Sequence, residues 1–120
     1  MVKLTDTEWK IMELFWEKGP LTTMEIYHEM EGTDGWAKST VITLLGRMEN
    51  KGSIRHRKDG NTKKYYPNIS KESAELQETR TFLDKFYKGK IGLLISSLVE
   101  QEEISEEELE EIRRIIREES

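Results

Sequence analysis

The chain has 120 residues, 36% of them charged and 35% hydrophobic, with a net charge of −5 and no cysteine. That length allows one domain or two very small ones around a modest core, and the lack of cysteine excludes disulfides, thiolate metal sites and cysteine nucleophiles. No apolar run approaches the roughly 20 residues that span a bilayer, and the N-terminus lacks a basic-then-apolar leader pattern, so the expectation is a soluble cytoplasmic protein that does not bind lipid membranes.

In chain order, Thr5-Asp6-Thr7-Glu8 offers a hydroxyl N-cap with a glutamate three residues later, a capping-box signature. The helix it opens carries Trp9, Met12, Phe15 and Trp16, and Gly19-Pro20 ends it. Thr22 or Thr23 caps a second helix bearing Met24, Ile26, Tyr27 and Met30, after which Glu31-Gly32-Thr33-Asp34-Gly35 reads as a loop. A third helix runs from Ala37 to Lys51. Its Val41, Leu44, Leu45 and Met48 recur at i, i+3, i+4 and i+7, and Gly52 stands at its C′ position. Ser53 to Lys58 and Lys63 to Tyr66 read as strands joined by Asp59-Gly60-Asn61-Thr62, and Pro67 stops the second. Tyr65 and Tyr66 point to opposite faces of that hairpin, so one of them joins the core.

Helix, helix, helix, hairpin is the order of a winged helix-turn-helix; a three-helix bundle with an incidental hairpin is the plainer alternative. At about 100° per residue, Ser39, Thr40, Thr43, Gly46, Arg47 and Asn50 fall opposite the apolar stripe of the third helix. Short hydrogen-bonding groups and one guanidinium suit a DNA major groove, whereas an ordinary solvated face carries bulky flexible charge. The net charge hides an asymmetry. Between Trp36 and Tyr66 the cations Lys38, Arg47, Lys51, Arg55, Arg57, Lys58, Lys63 and Lys64 are opposed only by Glu49 and Asp59, while the last third is acidic. Phosphate attraction follows the local patch rather than the total.

Thr40 and Thr43 are therefore assigned base-edge contacts, by hydroxyl or by methyl to thymine, and Ser39 a base or phosphate contact. Arg47, further along the helix, grips phosphate, with a solvated surface arginine as the alternative. Ile42 lies off the apolar stripe and is expected exposed, meeting a thymine methyl or standing as an isolated surface residue. Arg57, Lys58, Lys63 and Lys64 of the hairpin read as phosphate or minor-groove contacts that add affinity with little sequence choice. Trp9, Trp16 and Trp36 are assigned to packing rather than to ligand stacking.

After Asn68 the character changes. Ser70 caps a long helix through Lys88, with Glu72, Glu75 and Glu78 early and Lys85 and Lys88 late, as the macrodipole favours. Leu76, Phe82, Leu83, Phe86 and Tyr87 are its apolar positions, and Gly89 breaks it. Ile91, Leu93, Leu94, Ile95, Leu98 and Val99 make a second helix that is apolar nearly all round, and Ser105 caps a third whose stripe is Leu109, Ile112, Ile115 and Ile116. A helix apolar all round must be buried, and three short helices cannot surround it. Intertwining with a second copy is the economical solution, with dimer contacts assigned to Phe82, Phe86, Ile91, Leu94, Ile95, Leu98, Val99, Leu109, Ile112 and Ile116. Packing of these helices on the winged domain of the same chain is the alternative. The expected fold is thus mostly α with a small β-hairpin: an N-terminal winged helix-turn-helix over residues 1–69 and a C-terminal helical dimerisation module over 70–120.

An enzyme is not expected. His28 and His56 are the only histidines, neither stands in a triad or zinc-protease pattern, and no glycine-rich phosphate loop is present. No catalytic, metal or cofactor site follows. A winged domain that docks proteins without specific DNA binding is the alternative function; it would favour exposed aromatics or leucines on the third helix.

Several spaced segments carry a family resemblance: Thr7-Glu8-Trp9-Lys10-Ile11-Met12, Ser39 through Arg47, Lys51-Gly52, Tyr65-Tyr66, Phe86-Tyr87-Lys88-Gly89, and Ser105 through Ile112. On them the chain resembles the BlaI/MecI/CopY family of bacterial transcriptional repressors, in its penicillinase-repressor branch, from about Leu4 to Ile116. The resemblance implies a homodimer that represses transcription from inverted-repeat operators of the TACA/TGTA type. Copper-sensing members carry a C-terminal cysteine cluster, which is missing here. Beta-lactam-responsive members are cut by a partner membrane sensor-protease at an Asn-Phe bond in the dimerisation region. Ser97-Leu98 stands at the corresponding position, as the candidate proteolytic site with the expected pair replaced. Ala37 and Lys38 replace the family's Ser-Pro after the tryptophan; the hydroxyl N-cap is lost, at a typical cost of about 1 kcal/mol, and Lys38 is assigned a phosphate near the helix N-terminus.

Overall fold

The computed structural model describes residues 2–119, with α1 (Asp6–Lys18), β1 (Leu21–Thr22), α2 (Thr23–Asp34), α3 (Lys38–Lys51), β2 (Ile54–Asp59), β3 (Thr62–Pro67), α4 (Lys71–Tyr87), α5 (Ile91–Glu100) and α6 (Glu106–Glu119). Two compact units divide the chain, Met1–Glu75 and Leu76–Ser120, so the division falls within α4.

In the first unit the helix starts are set locally. Thr5 accepts from the Glu8 backbone N–H at 3.2 Å while the Glu8 carboxylate accepts from the Thr5 N–H at 2.9 Å, closing the expected capping box. Thr22 and Glu25 build a second one in the same way, which decides Thr22 over Thr23 as the cap of α2. The stretch expected as a loop after Met30 is instead helical to Asp34. Thr33 and Asp34 are modest helix formers, but Lys10 of α1 holds Asp34 at 2.8 Å and Gly35 supplies the left-handed stop one turn later than expected. Helix α3 begins at Ala37 with no side-chain cap and ends at Gly52 (φ 88).

Strands β2 and β3 form the expected hairpin through Gly60-Asn61, with Gly60 at φ 66, where a two-residue type II′ turn takes glycine. Pro67 is the last residue of β3, opposite Ile54, rather than the residue that stops it. Leu21 and Thr22 add a short third strand against Tyr65 and Lys64, giving the order β1-β3-β2. A two-residue strand leaves no periodic trace, so the sequence does not announce it. The core gathers Ile11, Met12 and Phe15 from α1, Ile26 and Met30 from α2, and the full α3 stripe, closed by Ile54 and Tyr65. Tyr65 is thus the tyrosine that joins the core. Trp9, Trp16 and Trp36 pack against its edge, Trp9 and Trp16 edge-to-face at 5.3 Å, with the Trp16 indole N–H donating to the Ile69 carbonyl at 3.0 Å.

Glu8 is fully buried and its Oε1 accepts from Lys51 Nζ at 2.7 Å. Burial alone raises its carboxyl, but Lys51 and the Thr5 N–H outweigh that and hold it below the usual carboxylate range. A carboxyl so depressed adds stability that is present above its unfolded-state value and is lost as pH falls through the folded-state value. Lys51→Met is therefore expected to cost about 1–2 kcal/mol near neutral pH, below the range for a fully buried pair because Lys51 is partly exposed. Thermal melts across the acid range check this. The gap between parent and variant closes as the medium acidifies, and a gap that stays constant contradicts the pairing.

The second unit is built differently. The start of α4, in the first unit, takes its cap from Ser70, whose hydroxyl accepts from the Ser73 N–H at 3.1 Å. The helix ends through Lys88 and Gly89 in left-handed conformations. Ser105 and Glu108 form a capping box at α6. Yet no described residue from 76 to 119 is buried. Leu94, Ile95, Leu98, Leu109 and Ile112 are half-covered. Phe82, Phe86, Ile91, Leu93, Val99, Ile115 and Ile116 are exposed, Phe86 and Ile91 at 58% each.

Candidate nucleic-acid interface

Helix α3 is split lengthwise. Val41, Leu44, Leu45 and Met48 are buried, while Lys38, Ser39, Thr40, Ile42, Thr43 and Arg47 are all exposed, Ile42 at 51% as expected. Ser39, Thr40, Thr43 and Arg47 line one shallow groove with the edge of Leu44. Open space surrounds the position a Cβ would take at Gly46, so the helix backbone is bare on this side. A face of hydroxyls, one methyl-rich side chain and one guanidinium can hydrogen-bond base edges and meet thymine methyls without a bulky obstruction.

The hairpin supplies charge. Register puts Arg57 opposite Lys64 and Lys58 opposite Lys63. Alternation then places Arg57 and Lys64 on one sheet face and Lys58 and Lys63 on the other. Like charges directly opposite repel, so the protein carries a cost here that an anion relieves. Arg57, Lys58 and Lys63 are exposed; Lys64 is half-covered, and its charge helps lower the Glu25 carboxyl, after the larger effect of the Thr22 hydrogen bonds.

Two cations of this segment have other duties. Lys51 is turned to Glu8 and to the Lys3 carbonyl at 3.2 Å, so its ammonium, though partly exposed, serves the buried carboxylate rather than the cationic surface. Arg55, given no role from sequence, donates to Asn68 Oδ1 at 2.6 Å and to the Pro67 carbonyl at 3.2 Å, and its guanidinium lies 5.2 Å from the Tyr66 ring centre. Arg57 lies 5.7 Å from the same ring. Tyr66 thus braces two guanidiniums on the outer sheet face. Period-two alternation puts Arg55 and Arg57 on one side, and the hairpin register, with Arg55 opposite Tyr66, brings the ring to the same face. Among the described residues no group of histidine, cysteine and carboxylate side chains could hold a metal, and no helix is long and apolar enough to cross a membrane.

A helical core that turns a hydroxyl-rich third helix outward, next to a cationic two-stranded wing, defines a winged-helix DNA-binding protein. The model of the penicillinase repressor family matches residues 4–118, and the chain belongs to that family of transcriptional regulators, which are not enzymes. It is 29% identical to the penicillinase repressor of Bacillus licheniformis over 116 residues, covering 97% of this chain and 91% of that one. It is 30% identical to the methicillin resistance regulatory protein MecI of Staphylococcus aureus strain N315 over 114 residues, covering 95% and 93%. The solution structure of monomeric Bacillus licheniformis BlaI in complex with the blaP half-operator matches 58% of this chain and 85% of that one, at 31% identity and a TM-score of 0.53.

Proposed function

We propose that this repressor acts as a homodimer on an inverted-repeat operator of the TACA/TGTA type. Each subunit reads one half-site with Thr40 and Thr43 against base edges. Lys38 contacts the backbone near the N-terminus of α3, Ser39 a base or a phosphate beside it, Ile42 meets a thymine methyl, and Arg47 holds a phosphate. Arg57, Lys58, Lys63 and Lys64 of the wing embrace phosphates on either side of the adjacent minor groove. Residues 70–120 pair the two subunits through Phe82, Phe86, Ile91, Leu94, Ile95, Leu98, Val99, Leu109, Ile112 and Ile116, and residues 1–69 carry the DNA-reading part. Release by a membrane sensor-protease, with cutting at Ser97-Leu98, is the control route that family membership suggests. Action in the cytoplasm follows from the same reading.

The split of α3 carries this reading, since its apolar half is consumed by the core and its outward half holds groups suited to base edges rather than to protein. A protein-docking surface would present aromatics or leucines there. The dimer is supported by the uncovered apolar residues of α4, α5 and α6, a surface that a soluble monomer rarely leaves open. Binding of the full chain to a TACA/TGTA duplex and to a random duplex, followed by anisotropy over a salt series, tests the proposal. The inverted repeat is expected to bind about 10³-fold more tightly or better, and Arg57→Ala or Lys63→Ala to weaken both duplexes alike while lowering the salt slope by about one per site. Equal affinity of the parent for both duplexes overturns it.

A further inference from the structure

A side-chain pair joins the outer part of α3 to the wing. His56 of β2 brings its Nδ1 to Glu49 Oε2 of α3, and its ring lies against Tyr65 of β3 with centroids 5.7 Å apart. Tyr65 is buried in the core of the first unit. Its phenol is pushed up by burial and next by the Glu49 charge, so that carboxylate acts toward the sheet. Glu49, His56 and Tyr65 therefore form a chain across helix and sheet. Closer to the helix end, the buried Ser53 hydroxyl donates to the Met48 carbonyl at 3.1 Å and fixes only the start of the wing.

Glu49 is an unexpected residue in this place. With Asp59 it is one of only two carboxylates between Trp36 and Tyr66, and a negative charge in a phosphate-binding segment subtracts from affinity. Asp59 closes the hairpin turn opposite Thr62, whereas Glu49 is spent on His56. His56 immediately precedes Arg57, the first of the wing cations assigned to DNA. A two-stranded ribbon is marginal alone and twists readily, so its tip needs an anchor close to where it leaves the core.

We propose that the Glu49–His56 pair is a positioning clasp. It holds the cationic tip of the wing at one setting relative to the threonine-lined face of α3, so that both elements engage one operator half-site together. This rests on the operator-binding reading above. Fixed geometry matters only where the two elements must meet their targets at once. A random duplex, held chiefly by phosphate attraction, does not require it.

Anisotropy on the inverted-repeat and random duplexes at one salt concentration, using the full chain, tests the clasp with Glu49→Ala, His56→Ala, the double variant and Glu49→Gln. Glu49→Ala is expected to bind random duplex about twofold more tightly, because a negative charge is gone, yet to lose about tenfold in operator-over-random preference. His56→Ala is expected to lose the same preference without the gain on random duplex. The double variant is expected to be no worse than His56→Ala, since one contact is lost only once. Glu49→Gln keeps an acceptor for His56 and is expected to recover most of the preference; it carries the test if the alanine variants melt. Should Glu49→Ala tighten both duplexes equally, or the two single losses add in full, the clasp is refuted. A parent that does not discriminate refutes the operator reading instead, whereas a discriminating parent with equally discriminating variants refutes the clasp alone.

Discussion

Replacing Thr40 and Thr43 together by alanine is expected to cut the preference for the inverted repeat over random duplex by about 10–100-fold, with random-duplex affinity changed by less than about twofold. Both side chains are exposed on the outward face of α3 and line its groove, so truncation removes groups that no core contact uses. Alanine is also the better helix former, by a few tenths of a kcal/mol per site on the usual scales, so α3 gains rather than loses local stability. Loss of discrimination in a chain that melts no earlier than the parent then has one explanation: the hydroxyls and methyls touch bases. The phosphate contacts proposed for Lys38, Arg47 and the wing are untouched by this change, which is why the random duplex is expected to be spared. An operator preference that survives the double change moves base recognition elsewhere on the surface.

The second large effect concerns assembly. Leu98→Glu is expected to halve the mass seen in sedimentation and to weaken operator binding about 100-fold, because two half-sites bound through one dimer gain an effective concentration that separate monomers lack. Leu98 is only half-covered in the single chain, and glutamate is a good helix former, so the subunit itself tolerates the change. A carboxylate forced into an apolar interface without a partner is what the dimer cannot tolerate. Operator affinity and mass should fall together, while affinity for a single half-site stays near that of the parent. A parent that sediments as a monomer at micromolar concentration, or a variant that stays dimeric, contradicts the assignment of α4 to α6.

Much of the site was legible because the relevant patterns are local. The α3 stripe and its opposite face follow from the helical repeat, and burial of Val41, Leu44, Leu45 and Met48 with exposure of Ile42 agrees residue by residue. The capping box at Thr5 involves groups three residues apart, which the chain brings together in any helix that starts there, whereas the sequence leaves the cap of α2 open between Thr22 and Thr23, and the box that Glu25 closes on Thr22 decides it. The run past Met30 misled because Gly32, Thr33, Asp34 and Gly35 are turn residues by propensity, and a contact from Lys10, distant in sequence, overrode that preference. Lys51 misled in another way. By composition it is one more cation of a basic segment, and only the burial of Glu8 beside it turns it into a core counter-ion.

The amino-acid sequence alone determined the order of the six helices and the hairpin, the two faces of the third helix, the cationic character of the hairpin and the apolar character of the C-terminal helices, since each depends on periodicities of two or 3.6 residues that covalent geometry imposes. The tertiary structure alone decided that Tyr65 rather than Tyr66 enters the core, that Leu21 and Thr22 extend the sheet, and that Glu49 reaches His56. Those outcomes turn on which of two equivalent faces, or which of several like charges, meets a distant partner. That choice is made by packing between elements, whose contacts no local pattern encodes.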